Sequence, residues 1–215
     1  MSIGWSWGFV KCEFSTLRFM NFALAEMPLP LRFRPETPMS DEELMRFCAA
    51  NDFLRVERDA NGEILVMTPA GIKTSRMNSR ITRLLDEWAE QDGRGIAVDS
   101  NGGFTLPDGS VRAADAAWVH KSRWDALSDA DQARFAPICP DFIIELRSPN
   151  DSLAELKQKM EQWIANGVQV GWFIDPENKT VSIYRRGEEP EILTNPTSVQ
   201  GNGVMAGFGL VMTRI

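Results

Sequence analysis

The stretch from Pro140 to Tyr184, PDFIIELRSPNDSLAELKQKMEQWIANGVQVGWFIDPENKTVSIY, leaves this chain few ways to fold. Phe142-Ile143-Ile144 is an apolar run of strand length that ends on Glu145, Leu146 and Arg147. Ser148-Pro149-Asn150-Asp151 then breaks the chain, because Pro149 biases Ser148 away from helix. A helix is predicted from about Ser152 to Asn166, with Gly167 where a left-handed cap is needed. Val168 to Ile174 reads as a second buried strand, Asp175 to Asn178 as a turn, and Thr180 to Tyr184 as a third strand. The result is a strand–helix–strand unit with a hairpin added. Glu145, a carboxylate on an otherwise apolar strand, is what needs a reason.

The helix supplies part of one. At 100° per residue Leu153, Leu156, Met160, Trp163 and Ile164 share a face, with Lys159 and Lys157 on its two borders. A border lysine can lay its stem on apolar surface and carry its ammonium back toward the strand end where Glu145 lies. The plainer reading makes both lysines solvated flanks, and the paired one needs a second carboxylate nearby.

With 215 residues, 43% of them hydrophobic, the chain suits one domain with a sizeable core. Its net charge of -7 argues against broad phosphate neutralisation, yet leaves room for a local basic groove. Cys12, Cys48 and Cys139 are odd in number and widely spaced, which suggests neither disulfides nor a zinc knuckle and makes a reducing, cytoplasmic setting the default. The one histidine, His120, excludes a Ser-His-Asp triad unless it is the base. Ser148 has no such base in sequence sight.

Residues 1–34 are read as an N-terminal extension, with Met20 and Met27 as alternative starts, and 35–215 as the folded domain. The extension lacks the pattern of a signal peptide, and no apolar run reaches the roughly 18 residues that span a bilayer. Ser40-Asp41-Glu42-Glu43 is a capping-box pattern opening a helix to Asn51. Phe53 to Arg58 and Glu63 to Met67 flank Asn61-Gly62, which predicts a type I′ hairpin. An amphipathic helix follows over about Lys73 to Gln91, then strands at Gly95 to Asp99, Gly103 to Leu106 and Val111 to Val119. Ser122 to Arg134 reads as helical, capped at Ser122 and interrupted near Ser128, and the tail carries short strands around Gly207-Phe208-Gly209.

Asp115 lies inside the run Val111 to Val119, which pairs naturally with Phe142 to Leu146. An ionised carboxylate in such a strand is costly unless paired or metal-bound. Two of them on neighbouring strands call for a shared proton or a divalent cation. With a lysine added, the set can hold Mg²⁺ and position a water against a phosphodiester.

The blocks NGEILVMTP, GFTLPDGSVRAADAAWV, PDFIIELRSPND, KMEQWIANGVQVGWFIDPENKTVSIY and GFGL resemble the Uma-type restriction endonucleases of the PD-(D/E)XK nuclease superfamily. The resemblance covers about Pro38 to Ile215. It implies an α/β, restriction-endonuclease-like fold: a mixed central sheet flanked by helices, with an N-terminal helix and hairpin. It implies a metal-dependent endonuclease in which Asp115, Glu145 and the Leu146 carbonyl hold Mg²⁺ or Mn²⁺. Lys159, displaced onto the helix, would orient or help deprotonate the attacking water, and Arg147, where many superfamily members have lysine, would contact the phosphate. Glu57 matches an acidic position common in the family, and Asp141 is expected to face away from Glu145. Nucleic acid, DNA before RNA, is the implied partner, with a homodimer for cutting both strands and no role for a membrane. The alternatives are a catalytically silent binding or regulatory module on the nuclease fold, and a metal-dependent hydrolase of nucleotides or small phosphoesters.

Overall fold

The computed structural model describes residues 30–215. Most of the expected extension, with Cys12, Met20 and Met27, lies outside the described residues, but its end does not. Leu31–Phe33 forms a strand (β1), and Phe33 packs edge-on against Phe47 with ring centroids 6.2 Å apart. Ser40 caps Asp41–Ala50 (α1): Glu43 N–H donates to its hydroxyl at 3.2 Å, and the Glu43 carboxylate accepts from Ser40 N–H at 2.8 Å.

Arg55–Arg58 (β2) and Ile64–Met67 (β3) pair antiparallel, and β1 adds to β3. Their turn is not type I′, because only Gly62 takes a positive φ, 80°. Asp59 organises a longer loop instead, its carboxylate accepting from Asn61 and Glu63 N–H at 2.8 Å each.

Ile72–Asp92 (α2) buries Ile81, Leu85 and Ala89 and stops at Gly93, whose φ of 71° is a left-handed cap. Gly95–Asp99 (β4) and Phe104–Thr105 (β5) follow. The predicted strand Val111 to Val119 is two strands, Val111–Arg112 (β6) and Ala116–His120 (β7), in different sheets. The apolar run hides the break because both halves are buried. Lys121–Trp124 (α3) and Asp129–Gln132 (α4) replace the predicted interrupted helix. The first is capped by the His120 ring and not by Ser122, while Ser128 caps the second.

Phe142–Leu146 (β8), Leu153–Asn166 (α5) and Val170–Asp175 (β9) are the strand–helix–strand unit, with Ser152 capping the helix and Gly167 ending it at φ 128°. The crossover makes β8 and β9 parallel. Thr180–Arg185 (β10), Glu191–Thr194 (β11), Ser198–Gln200 (β12) and Gly209–Val211 (β13) complete the chain.

The strands form a five-stranded sheet in the order β1-β3-β2-β6-β5, a six-stranded mixed sheet in the order β11-β10-β9-β8-β7-β4, and the pair β12-β13. Alternation along β7, β8 and β9 gives the six-stranded sheet two apolar faces. Trp118, Phe142, Ile144 and Trp172 pack with α2 and Phe208 on one, while Ile143 and Phe173 pack with Met160 and Trp163 of α5 on the other. Leu44, Ile64, Val66 and Val111 form a smaller core under α1. No helix among the described residues is long and apolar enough to cross a membrane.

Candidate active site

Asp115 sits in the link where the chain leaves one sheet for the other. Ala116 pairs with Ile144 and Ala117 with Ile143, so the same register carried one step further sets Asp115 opposite Glu145. Asp115 is buried and its carboxylate engaged at both oxygens: Oδ2 accepts from Leu146 N–H at 2.8 Å, and Oδ1 from Asn78 Nδ2 at 2.9 Å with an Arg55 guanidinium nitrogen 3.5 Å away. The strand-end position of Leu146 and the α2 position of Asn78 are what fix it there.

Glu145 is buried on the α5 face of β8, where Oε1 accepts from Trp163 Nε1 at 2.9 Å and lies 2.9 Å from Lys159 Nζ. The same ammonium donates to Glu57 Oε1 at 2.9 Å and to the Ala113 carbonyl at 3.0 Å. Arg112 closes the cluster, donating to Glu57 Oε2 at 2.9 Å and to Gln162 Oε1 at 2.8 Å. Two sheets and a helix therefore contribute to one buried ionic group.

Its members are driven apart in acidity. Burial pushes Glu145 up to about 7, against the pull of Lys159 and helped by the charges of Asp115 and Glu57. Burial acts on Glu57 too, but Lys159 and Arg112 overcome it and hold this acid down at about 2. Lys159 would be depressed by burial, yet Glu145 and Glu57 keep it above the ordinary lysine value, firmly protonated.

A family model described as "Putative restriction endonuclease" matches residues 41–213. The chain belongs to the Uma2 family. A crystal structure of a "putative nuclease belonging to DUF820 from Anabaena variabilis" is similar over 79% of this chain and 92% of that one, at 22% identity and a TM-score of 0.62, a likeness of fold. No curated protein matches the chain.

In this Uma2 protein the structure joins Glu145, Lys159 and Glu57, sets Asp115 opposite Glu145 with its own partners, and leaves Arg147 out. One Arg147 guanidinium nitrogen lies 3.0 Å from Asp175 and 3.2 Å from Glu177, because the turn after β9 offers it two carboxylates. Asp141 is separated from Glu145 along the strand, at the opposite end of β8, where it accepts from His120 N–H, Arg123 and Gln169. Ser148 reaches only the Thr74 hydroxyl, at 3.3 Å. Sequence reasoning missed Arg112, Gln162, Arg55 and Asn78. Gln162 was within reach, one helical turn beyond Lys159, whereas Arg55 and Asn78 arrive from elements with no local link to Asp115.

Among the described residues no group of three His, Cys, Asp or Glu side chains is arranged to hold a metal. The two-carboxylate set Asp115 and Glu145 still fits Mg²⁺ or Mn²⁺, which bind through one or two carboxylates and complete their shell with water and substrate phosphate. One observation favours the fit: Asn78 Oδ1, beside Asp115, is buried without a hydrogen-bond partner.

The raised acid makes stability depend on pH in this Uma2 protein. Folded Glu145 keeps its proton to about 7 while the unfolded chain loses it near 4.5, so its contribution is full below 4.5 and lost as pH rises through 7. Thermal melts in EDTA are expected to show a falling Tm between these values, and Glu145→Gln a flatter profile. An equal fall in the variant would assign the titration to another group.

Proposed function

We propose that this protein is a divalent-metal-dependent endonuclease that hydrolyses phosphodiester bonds of nucleic acid, with DNA as the first substrate to test. The observation that carries the reading is Asp115 opposite Glu145 at neighbouring strand ends, with Glu145 paired to a protonated Lys159. Asp115, Glu145 and the Leu146 carbonyl would hold Mg²⁺ or Mn²⁺. The ion supplies a Lewis acid for the phosphate and an acidified water as nucleophile. Lys159 cannot serve as the proton acceptor while Glu57 and Glu145 hold its proton, so it orients the water and offsets charge developing on phosphorus-bound oxygen. Glu57 and Arg112 keep that ammonium in place, and Trp163 donates to Glu145 to fix its rotamer. Arg147 serves the turn at Asp175. Cutting both strands of a duplex would take two copies of the chain.

Calorimetry with Mn²⁺ or Mg²⁺ is expected to show binding that Glu145→Ala abolishes without unfolding the protein. Incubation with single- and double-stranded DNA and RNA should give cleavage that EDTA blocks and Asp115→Asn removes. Equal metal affinity in wild type and Glu145→Ala would sink the site.

A silent module has one observation in its favour: Glu57, Glu145 and the Ala113 carbonyl occupy all three Lys159 donors. That reading expects no cleavage of any substrate in the same assay.

A further inference from the structure

Helix α2 is charged against its own dipole. Its cations, Lys73, Arg76, Arg80 and Arg83, all precede its carboxylates, Asp86, Glu87, Glu90 and Asp92. A helix is stabilised by the reverse order, acids first and bases last. Stability therefore does not explain the arrangement. At 100° per residue the four cations fall in one stripe about 80° wide and, at a rise of about 1.5 Å per residue, roughly 15 Å long.

With Arg214 from the end of the chain, the stripe lines a groove of about 680 Å³. No acidic side chain among the described residues lines it, although the protein as a whole carries a net charge of -7. Of the five cations only Arg83 has an ion-pair partner among the described residues, Glu87 one turn on. Arg80 Nε is buried with no hydrogen-bond partner. Ser79 and Arg83 line this groove and also a second, of about 690 Å³, whose walls include Arg55 and Asn78. Those two side chains are the ones that hold Asp115 Oδ1. The second groove also carries Asp52, Asp86 and Asp99, so the basic groove adjoins, across Ser79 and Arg83, an acidic one that ends on the two side chains holding Asp115.

We infer that the basic stretch of α2 and Arg214 form a binding track for the phosphate backbone of nucleic acid, delivering it to Asp115 and Glu145. The choice of ligand rests on the nuclease reading, since a basic surface on the helix that also supplies Asn78 to Asp115 favours a polymer that must enter the site over an anionic membrane. Phosphates recur about every 3.4 Å along one strand, so a stripe of this length spans about four of them.

The test is fluorescence anisotropy of a labelled oligonucleotide, single-stranded and duplex, in EDTA over a salt series. Lys73→Ala/Arg76→Ala, at two exposed positions, is expected to weaken binding on the order of tenfold or more. It should also flatten the log–log salt slope by about 1.4 for single strands and about 1.8 for duplex. Lys157→Ala, on a different helix, should change neither. The double variant should melt no lower than wild type, because it removes charges the helix dipole opposes.

Unchanged affinity and slope would overturn the track. So would loss of binding to phosphatidylserine vesicles with oligonucleotide binding intact, which would make this a membrane-facing surface. Oligonucleotide binding that depends on Lys73 and Arg76, without metal-dependent cleavage, would uphold the track and remove the nuclease reading. Cleavage with binding indifferent to these residues would do the opposite.

Discussion

Lys159→Ala is expected to lower metal-dependent cleavage on the order of 10²–10³, the usual loss when one preorganised charge is taken from a developing anion. The same change leaves Glu57 and Glu145 buried without their shared cation, a defect that costs roughly 3–5 kcal/mol of stability. The two effects must be separated. Lys159→Met combined with Glu57→Gln removes the charge left without its lysine and keeps the metal-holding pair intact, so stability should partly return while activity does not. Lys157→Ala, exposed on the opposite border of α5, should be silent in both measurements. Full cleavage by a folded Lys159→Ala protein would remove the ammonium from the mechanism.

Phe208→Ala is expected to be the most damaging substitution outside the site. This ring stacks on Trp172 at 5.4 Å and meets Trp88 at 5.6 Å and Phe142 at 5.8 Å, so it joins the β12-β13 end of the chain to α2 and the six-stranded sheet. Truncating a fully buried phenylalanine costs about 3–5 kcal/mol. For a domain of this size that lowers Tm by on the order of 10 °C. A loss below about 1 kcal/mol in denaturant titration would mean that the last strands are an accessory and not part of the core.

The elements legible in the sequence were those whose evidence is local. The Ser40 box, the Gly167 stop and the apolar face of α5 each rest on residues a few positions apart, and the border position of Lys159 followed from the same winding. The expectation failed where tertiary structure decides. Val111 to Val119 is apolar apart from Arg112 and Asp115 whether it is one strand or two, so the switch between sheets left no break signal such as Gly or Pro. Asn61-Gly62 looks like a tight turn until Asp59 captures the amides on either side. Arg147 has the charge a phosphate contact needs, and only the fold reveals Asp175 and Glu177 beside one of its nitrogens. Arg55 and Asn78 meet Asp115 across 60 and 37 positions, separations for which a single sequence carries no signal.

The switch at Asp115 has a bearing on when the site comes into being. Glu57 belongs to one sheet, Glu145 to the other, and Lys159 reaches Glu57 across 102 positions of chain. Contacts of such separation close only after the local structure they join is in place. A chain with one sheet formed carries isolated acids and a solvated lysine, and neither can position a water. Cleavage competence would arrive only with the last docking step, which would keep nascent and damaged copies harmless to the nucleic acid around them.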